Sequence, residues 1–180
     1  MAVSIPFSNI SEAYRIIIVS IPFVIAVFIA FKLNGLELRT AGFNLDKWRR
    51  QVLIALLGLP IGLLEYFAVK SVLTEVPKTE ILLWIFVFIF CVGFIEELLF
   101  RGILFNIFAE ALGNKRSMYI VSALYASLTI SQMSVFNTVL AFLISLIFCR
   151  LYTLQKSIYG LILAHGLINI TLYIICPFAF

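Results

Sequence analysis

Phe94-Ile95-Glu96-Glu97-Leu98-Leu99-Phe100-Arg101-Gly102 sets two carboxylates and one guanidinium inside an otherwise apolar run that spans residues 81–109. A run that long reads as a helix crossing a bilayer, because a crossing needs about 20 mostly apolar residues at 1.5 Å each. Charged side chains there are expensive. One Asp, Lys or Arg at a helix centre costs roughly 2.5–3.5 kcal/mol on insertion scales. Such groups turn to the bundle interior or a wet cavity, and they are functional suspects by default.

The rest of the chain agrees with a membrane reading. Of its 180 residues, 63% are hydrophobic and 12% charged, with a mean hydropathy of +1.14. A soluble domain is about half apolar and about a quarter charged, so this chain lacks the polar residues to cover a water-facing globule. A soluble enzyme, a disordered linker and a nucleic-acid-binding module are excluded. The net charge of +4 therefore reports loop orientation and not a nucleic-acid footprint. Cys91, Cys149 and Cys176 lie scattered in apolar runs without C-x-x-C spacing and read as small hydrophobes.

Six apolar segments emerge, at about 14–31, 52–69, 81–109, 118–130, 138–154 and 158–176. The fourth is short and the third is interrupted by charge. The first has no basic n-region or clear cleavage site and reads as a retained span. No internal repeat and no second domain is visible, so residues 1–180 read as one all-α, polytopic membrane helix bundle of about six transmembrane helices. Alternate loops hold Lys32, Arg39, Lys47, Arg49, Arg50, Lys115, Arg116, Arg150 and Lys156, against Lys70 and Lys78 in the others. The positive-inside rule then puts both termini outside. Trp48, Arg49 and Arg50 suit an interfacial start to the second span.

Within the third span, Glu97 and Arg101 are four residues apart, share a helix face and can neutralise each other. Glu96 is rotated about 100° away. No local cation serves it, so it must be protonated or find a partner on another helix. A carboxyl in a dry site suits a general base or acid. His165, the single histidine, shares a stripe with Asn169 in Leu161-Ile162-Leu163-Ala164-His165-Gly166-Leu167-Ile168-Asn169. Counting helical rise puts Glu96 and His165 about 8 and 12 Å from the cytoplasmic boundary. These are compatible depths, although nothing in the sequence makes the two spans touch.

Glu96-Glu97-Leu98-Leu99-Phe100-Arg101, followed on a later span by His165-Gly166-Leu167-Ile168-Asn169, resembles the CPBP (Abi) intramembrane protease family. That family includes the CAAX prenyl endopeptidases and many bacterial relatives. Its pattern is E-E-x-x-x-R, then F-x-x-x-H, then H-x-x-x-N/D on separate spans, and the resemblance covers about residues 81–175. The middle motif departs: Tyr125 stands for the Phe and Thr129 for the His.

The resemblance implies Glu96 as the base that activates water and His165 with Asn169 as oxyanion stabilisers. Glu97 and Arg101 would brace the site, and Thr129 would occupy a degenerate water-holding position. A catalytic zinc takes three protein ligands. Glu96, His165 and Asn169 are a weak set, so no stable zinc is expected. The implied partner is a membrane-anchored protein or peptide substrate, and the implied place is a bacterial plasma membrane. The alternative is a catalytically weakened member acting as a membrane scaffold or bacteriocin-immunity protein. A transporter or proton relay is disfavoured by the lack of inverted repeats.

Overall fold

The computed structural model describes residues 11–69, 76–129 and 135–179. Lys70 and the end of the fourth apolar segment, at Ile130, lie outside the described residues. All regular structure among the described residues is helical. The helices are α1 (Glu12–Leu33), α2 (Trp48–Ala68), α3 (Lys78–Leu112), α4 (Asn114–Ser127), α5 (Val135–Gln155) and α6 (Tyr159–Ala179). Five are long and apolar enough to cross a membrane. The exception is α4, with 14 residues, which matches the short fourth apolar segment. The molecule is an all-α polytopic helix bundle.

Large apolar side chains such as Phe23, Ile25, Phe67, Val139 and Ile147 face outward, as a bilayer solvent requires. Burial grades inward. In α6, 56% of the most apolar window is buried, against 6% in α1, so α6 is the hub and α1 the periphery. Pro60 lies in α2, and the α-helical ladder breaks just before it, at Leu57. Proline both lacks the N–H and crowds the carbonyl four residues back.

Two glycine contacts set the hub. A Cβ on Gly93 of α3 would stand 2.8 Å from the Ile162 carbonyl oxygen of α6. A Cβ on Gly166 would stand 2.8 Å from the Ile89 side chain. Small residues let membrane helices approach until their backbones touch. Here the pairing of 93 with 162 and of 89 with 166 makes α3 and α6 antiparallel. On the other side of α6, Gly58 meets Ala164 and Leu167, and Gly62 meets Ile168 and Thr171, so α2 runs parallel to it. The 34–47 loop is pinned at the bundle end. Ile158 N–H donates to the Gly42 carbonyl at 3.0 Å, and the Tyr152 hydroxyl donates to the Thr40 carbonyl at 2.8 Å.

The third helix is not uniformly α-helical. Glu96 and Glu97 sit in a single α-helical turn, Ile95–Glu97, flanked by π-helical stretches at Val87–Phe94 and Leu98–Leu104. Such wide turns are rare and concentrate at functional sites.

Gly93→Leu drives a side chain into the α6 backbone. It is expected to lower stability in a detergent-unfolding titration by about 1–3 kcal/mol or more. Ala26→Leu, on the lipid-facing side of α1, should stay within about 0.5 kcal/mol of the parent.

Candidate functional site

The close α3–α6 crossing brings the charged turn of α3 against His165. Glu97 is fully buried and Arg101 is 1% exposed. Arg101 Nη1 donates to Glu97 Oε1 at 3.0 Å, which is the pairing expected from their four-residue spacing. The same Glu97 oxygen lies 3.1 Å from His165 Nδ1. One carboxylate oxygen thus ties α3 to α6. Arg101 reaches further: its Nη2 donates to the Ser145 hydroxyl of α5 at 2.8 Å. Its guanidinium also lies over the rings of Tyr125, at 5.1 Å, and Phe148, at 5.4 Å. A carboxylate, a hydroxyl and aromatic faces thus compensate the buried cation, although Arg101 Nε and Glu97 Oε2 have no hydrogen-bond partner among the described residues.

Glu96 turns the other way. It is partly exposed, at 26% for its side chain, and its Oε2 lies 3.8 Å from His165 Nε2. The partner on another helix that Glu96 needed is therefore the imidazole. The separation exceeds a direct hydrogen bond, and a water bound to both groups would sit beside the line that joins them. Glu96 borders a groove of about 400 Å³ along α1, lined also by Arg15, Ser20 and Cys91.

Thr129, His165 and Asn169 line a different, smaller cavity of about 70 Å³, together with Arg101 and Tyr125. Tyr125 sits edge-on to the His165 ring, with centroids 6.2 Å apart. The Thr129 hydroxyl donates to the Ala126 carbonyl at 2.8 Å. The Asn169 amide donates to the His165 carbonyl at 3.3 Å, so Asn169 follows His165 on one stripe. The structure thus gathers Glu96, Glu97, Arg101 and His165 into one contact network. It places Thr129 and Asn169 on the cavity beside that network.

Two participants escape a motif reading. Ser145 completes the Arg101 shell, and a lone serine in an apolar span carries no sequence signal. Glu65 on α2 lines the Thr129–His165 cavity. Its signal was available: it is a carboxyl within an apolar span, like Glu96. Among the described residues no three His, Cys, Asp or Glu side chains converge as a metal site requires. The donor set does not fit a catalytic zinc.

Removing one partner of a buried ion pair strands the other. Glu97→Gln is expected to cost about 3–5 kcal/mol in detergent unfolding. The double variant Glu97→Leu/Arg101→Met should cost less than Glu97→Gln alone, because it leaves no buried charge unpaired.

The profile of the type II CAAX prenyl endopeptidase Rce1-like family matches residues 78–171, just over half of the chain. No curated protein and no solved structure matches it. The matched stretch starts with α3 and ends within α6. It therefore contains Glu96, Glu97, Arg101, Thr129, His165 and Asn169, and leaves out α1 and α2. By this match, and with the charged turn of α3 set against the histidine of α6, the chain belongs to the type II CAAX prenyl endopeptidase Rce1-like family.

Proposed function

We propose that the protein is an intramembrane endopeptidase that hydrolyses a peptide bond of a membrane-anchored substrate without a metal. The observation that carries this reading is the Glu96 carboxyl, 3.8 Å from the His165 ring, braced from behind by Glu97 and Arg101.

A water between Glu96 and His165 attacks the scissile carbonyl carbon, and Glu96 takes its proton. The carbonyl oxygen becomes an oxyanion, met by His165 Nε2–H and the Asn169 amide. Glu97 Oε1 accepts the proton on Nδ1 and fixes the ring. To donate from Nε2 as well, the ring must carry both protons, as the imidazolium does. Collapse breaks the C–N bond, and Glu96 returns its proton to the leaving amine. Glu97 and Arg101 change no bond; they hold the ring in place. The basic loops support an orientation with both termini outside and the Glu96 turn in the cytoplasmic half, and a bacterial plasma membrane is what the family resemblance suggests.

A second reading is a catalytically weakened member that acts as a membrane scaffold or bacteriocin-immunity protein. Thr129 favours it. A threonine hydroxyl is no base near neutral pH, and this one is committed to the Ala126 carbonyl.

The chain in proteoliposomes with lipid-anchored peptides as substrates, one ending in a CAAX-type cysteine motif, separates the two. Glu96→Ala and His165→Ala are expected to abolish cleavage, and Asn169→Ala to lower kcat by about 10²–10³. Thr129→His should accelerate a slow parent. Cleavage by Glu96→Ala at the parental rate sinks the endopeptidase reading; a parent as fast as Thr129→His sinks the weakened one.

A further inference from the structure

Glu65 lies outside the region matched by the family profile and takes no part in the chemistry above. Its place is set by packing. Gly58 and Gly62 press α2 onto α6, and Glu65 follows them at helical spacings of seven and three, so it falls on the same face. Because α2 and α6 run parallel, the Glu65 backbone comes about one turn beyond the level of Ile168. Helical side chains lean toward the N-terminus of their own helix. That lean returns the carboxyl to the level of His165 and Asn169, in the cavity they line with Arg101, Tyr125 and Thr129.

The polar groups of this cavity are mostly spent. Arg101 is bound to Glu97 and Ser145. His165 Nδ1 is bound to Glu97. The Thr129 hydroxyl donates to Ala126 and the Asn169 amide to His165. Glu65 makes no hydrogen bond among the described residues. A half-buried acceptor without a protein donor can hold water, and a polar cavity of about 70 Å³ has room for it. The cavity also reaches the reacting base through His165, which lines it and whose Nε2 lies 3.8 Å from Glu96 Oε2.

We propose that Glu65 is a further catalytic residue: its carboxylate accepts a hydrogen bond from the hydrolytic water in the Thr129–His165 cavity and aims it at the scissile carbonyl. The proposal rests on the endopeptidase reading. Glu65 exchanges no proton in the step. The water proton goes to Glu96 and then to the leaving amine. The carboxylate supplies from α2 a charged acceptor for the water, where Thr129, just past the end of α4, offers only a neutral hydroxyl oxygen.

The test uses the full chain in proteoliposomes with the same lipid-anchored peptides. Glu65→Leu removes an intramembrane carboxyl and should insert and melt no worse than the parent. It is expected to lower kcat about tenfold or more and to leave KM within about twofold. Glu65→Gln keeps an oxygen acceptor and should retain about a third or more of the parental kcat. In a Thr129→His background, where an imidazole can hold the water, Glu65→Leu should cost less than about threefold.

An unchanged kcat in Glu65→Leu overturns the proposal. So does an equal loss in both backgrounds, or a Glu65→Gln variant as slow as Glu65→Leu. If Glu96→Ala is silent while Glu65→Leu is not, Glu65 alone is dismissed. If the parent is as silent as Glu96→Ala, the endopeptidase reading falls and takes this role with it.

Discussion

One oxygen atom organises the interior. Glu97 Oε1 takes a hydrogen bond from Arg101 and faces His165 Nδ1, at 3.0 and 3.1 Å. Through Arg101 the link extends to Ser145. Three spans that share little sequence proximity are thereby coupled at one depth. In water such a network is weak, because each ion keeps its solvation and salt screens the pair. In a hydrocarbon surround the alternative is an unpaired charge in a low dielectric, which costs far more than the pair. The network cannot come apart group by group, so α3, α5 and α6 keep their relative positions.

That network depends on how near the backbones come. Side chains the length of Glu and His meet across a helix interface only when little else fills the gap. Gly93 and Gly166 leave that gap empty, and a β-carbon at either site would meet the opposite helix at 2.8 Å. On the far face of α6, Gly58 and Gly62 do the same for α2. α6 is therefore clamped between two glycine contacts, which explains why it is the most buried span and why the polar groups converge on its His165–Asn169 stripe.

Much of this was legible in the sequence, and the limits have physical reasons. The six apolar segments match the six helices among the described residues, because hydropathy reports the transfer of side chains into lipid and a backbone in lipid must bond within its own helix. The Glu97–Arg101 pair was legible because spacing within one helix fixes its geometry. The meeting of Glu96 with His165 was legible only as matching depth, since no rule of sequence states which spans touch. The glycines that decide it looked like ordinary span residues. Flanking π-helical turns were hidden for a related reason: they depend on packing around residues 87–104 and not on a composition signal. Ser145 was invisible, whereas Glu65 was overlooked although it carried the same sign of intramembrane charge as Glu96.

The tandem of acids follows from this arrangement. Adjacent helical residues point about 100° apart, so one carboxylate can be locked inside while its neighbour borders the groove along α1. Glu97 is fully buried, and Glu96 retains 26% of its side-chain surface. The locked acid supplies a fixed negative charge that orients the imidazole and holds the guanidinium. The open acid keeps a free face toward the groove along α1. A single carboxylate could not do both, since the pairing that rigidifies the site holds the carboxylate fully buried, away from the groove. Two consecutive glutamates on one span separate rigidity from reactivity within about 1.5 Å of helix rise.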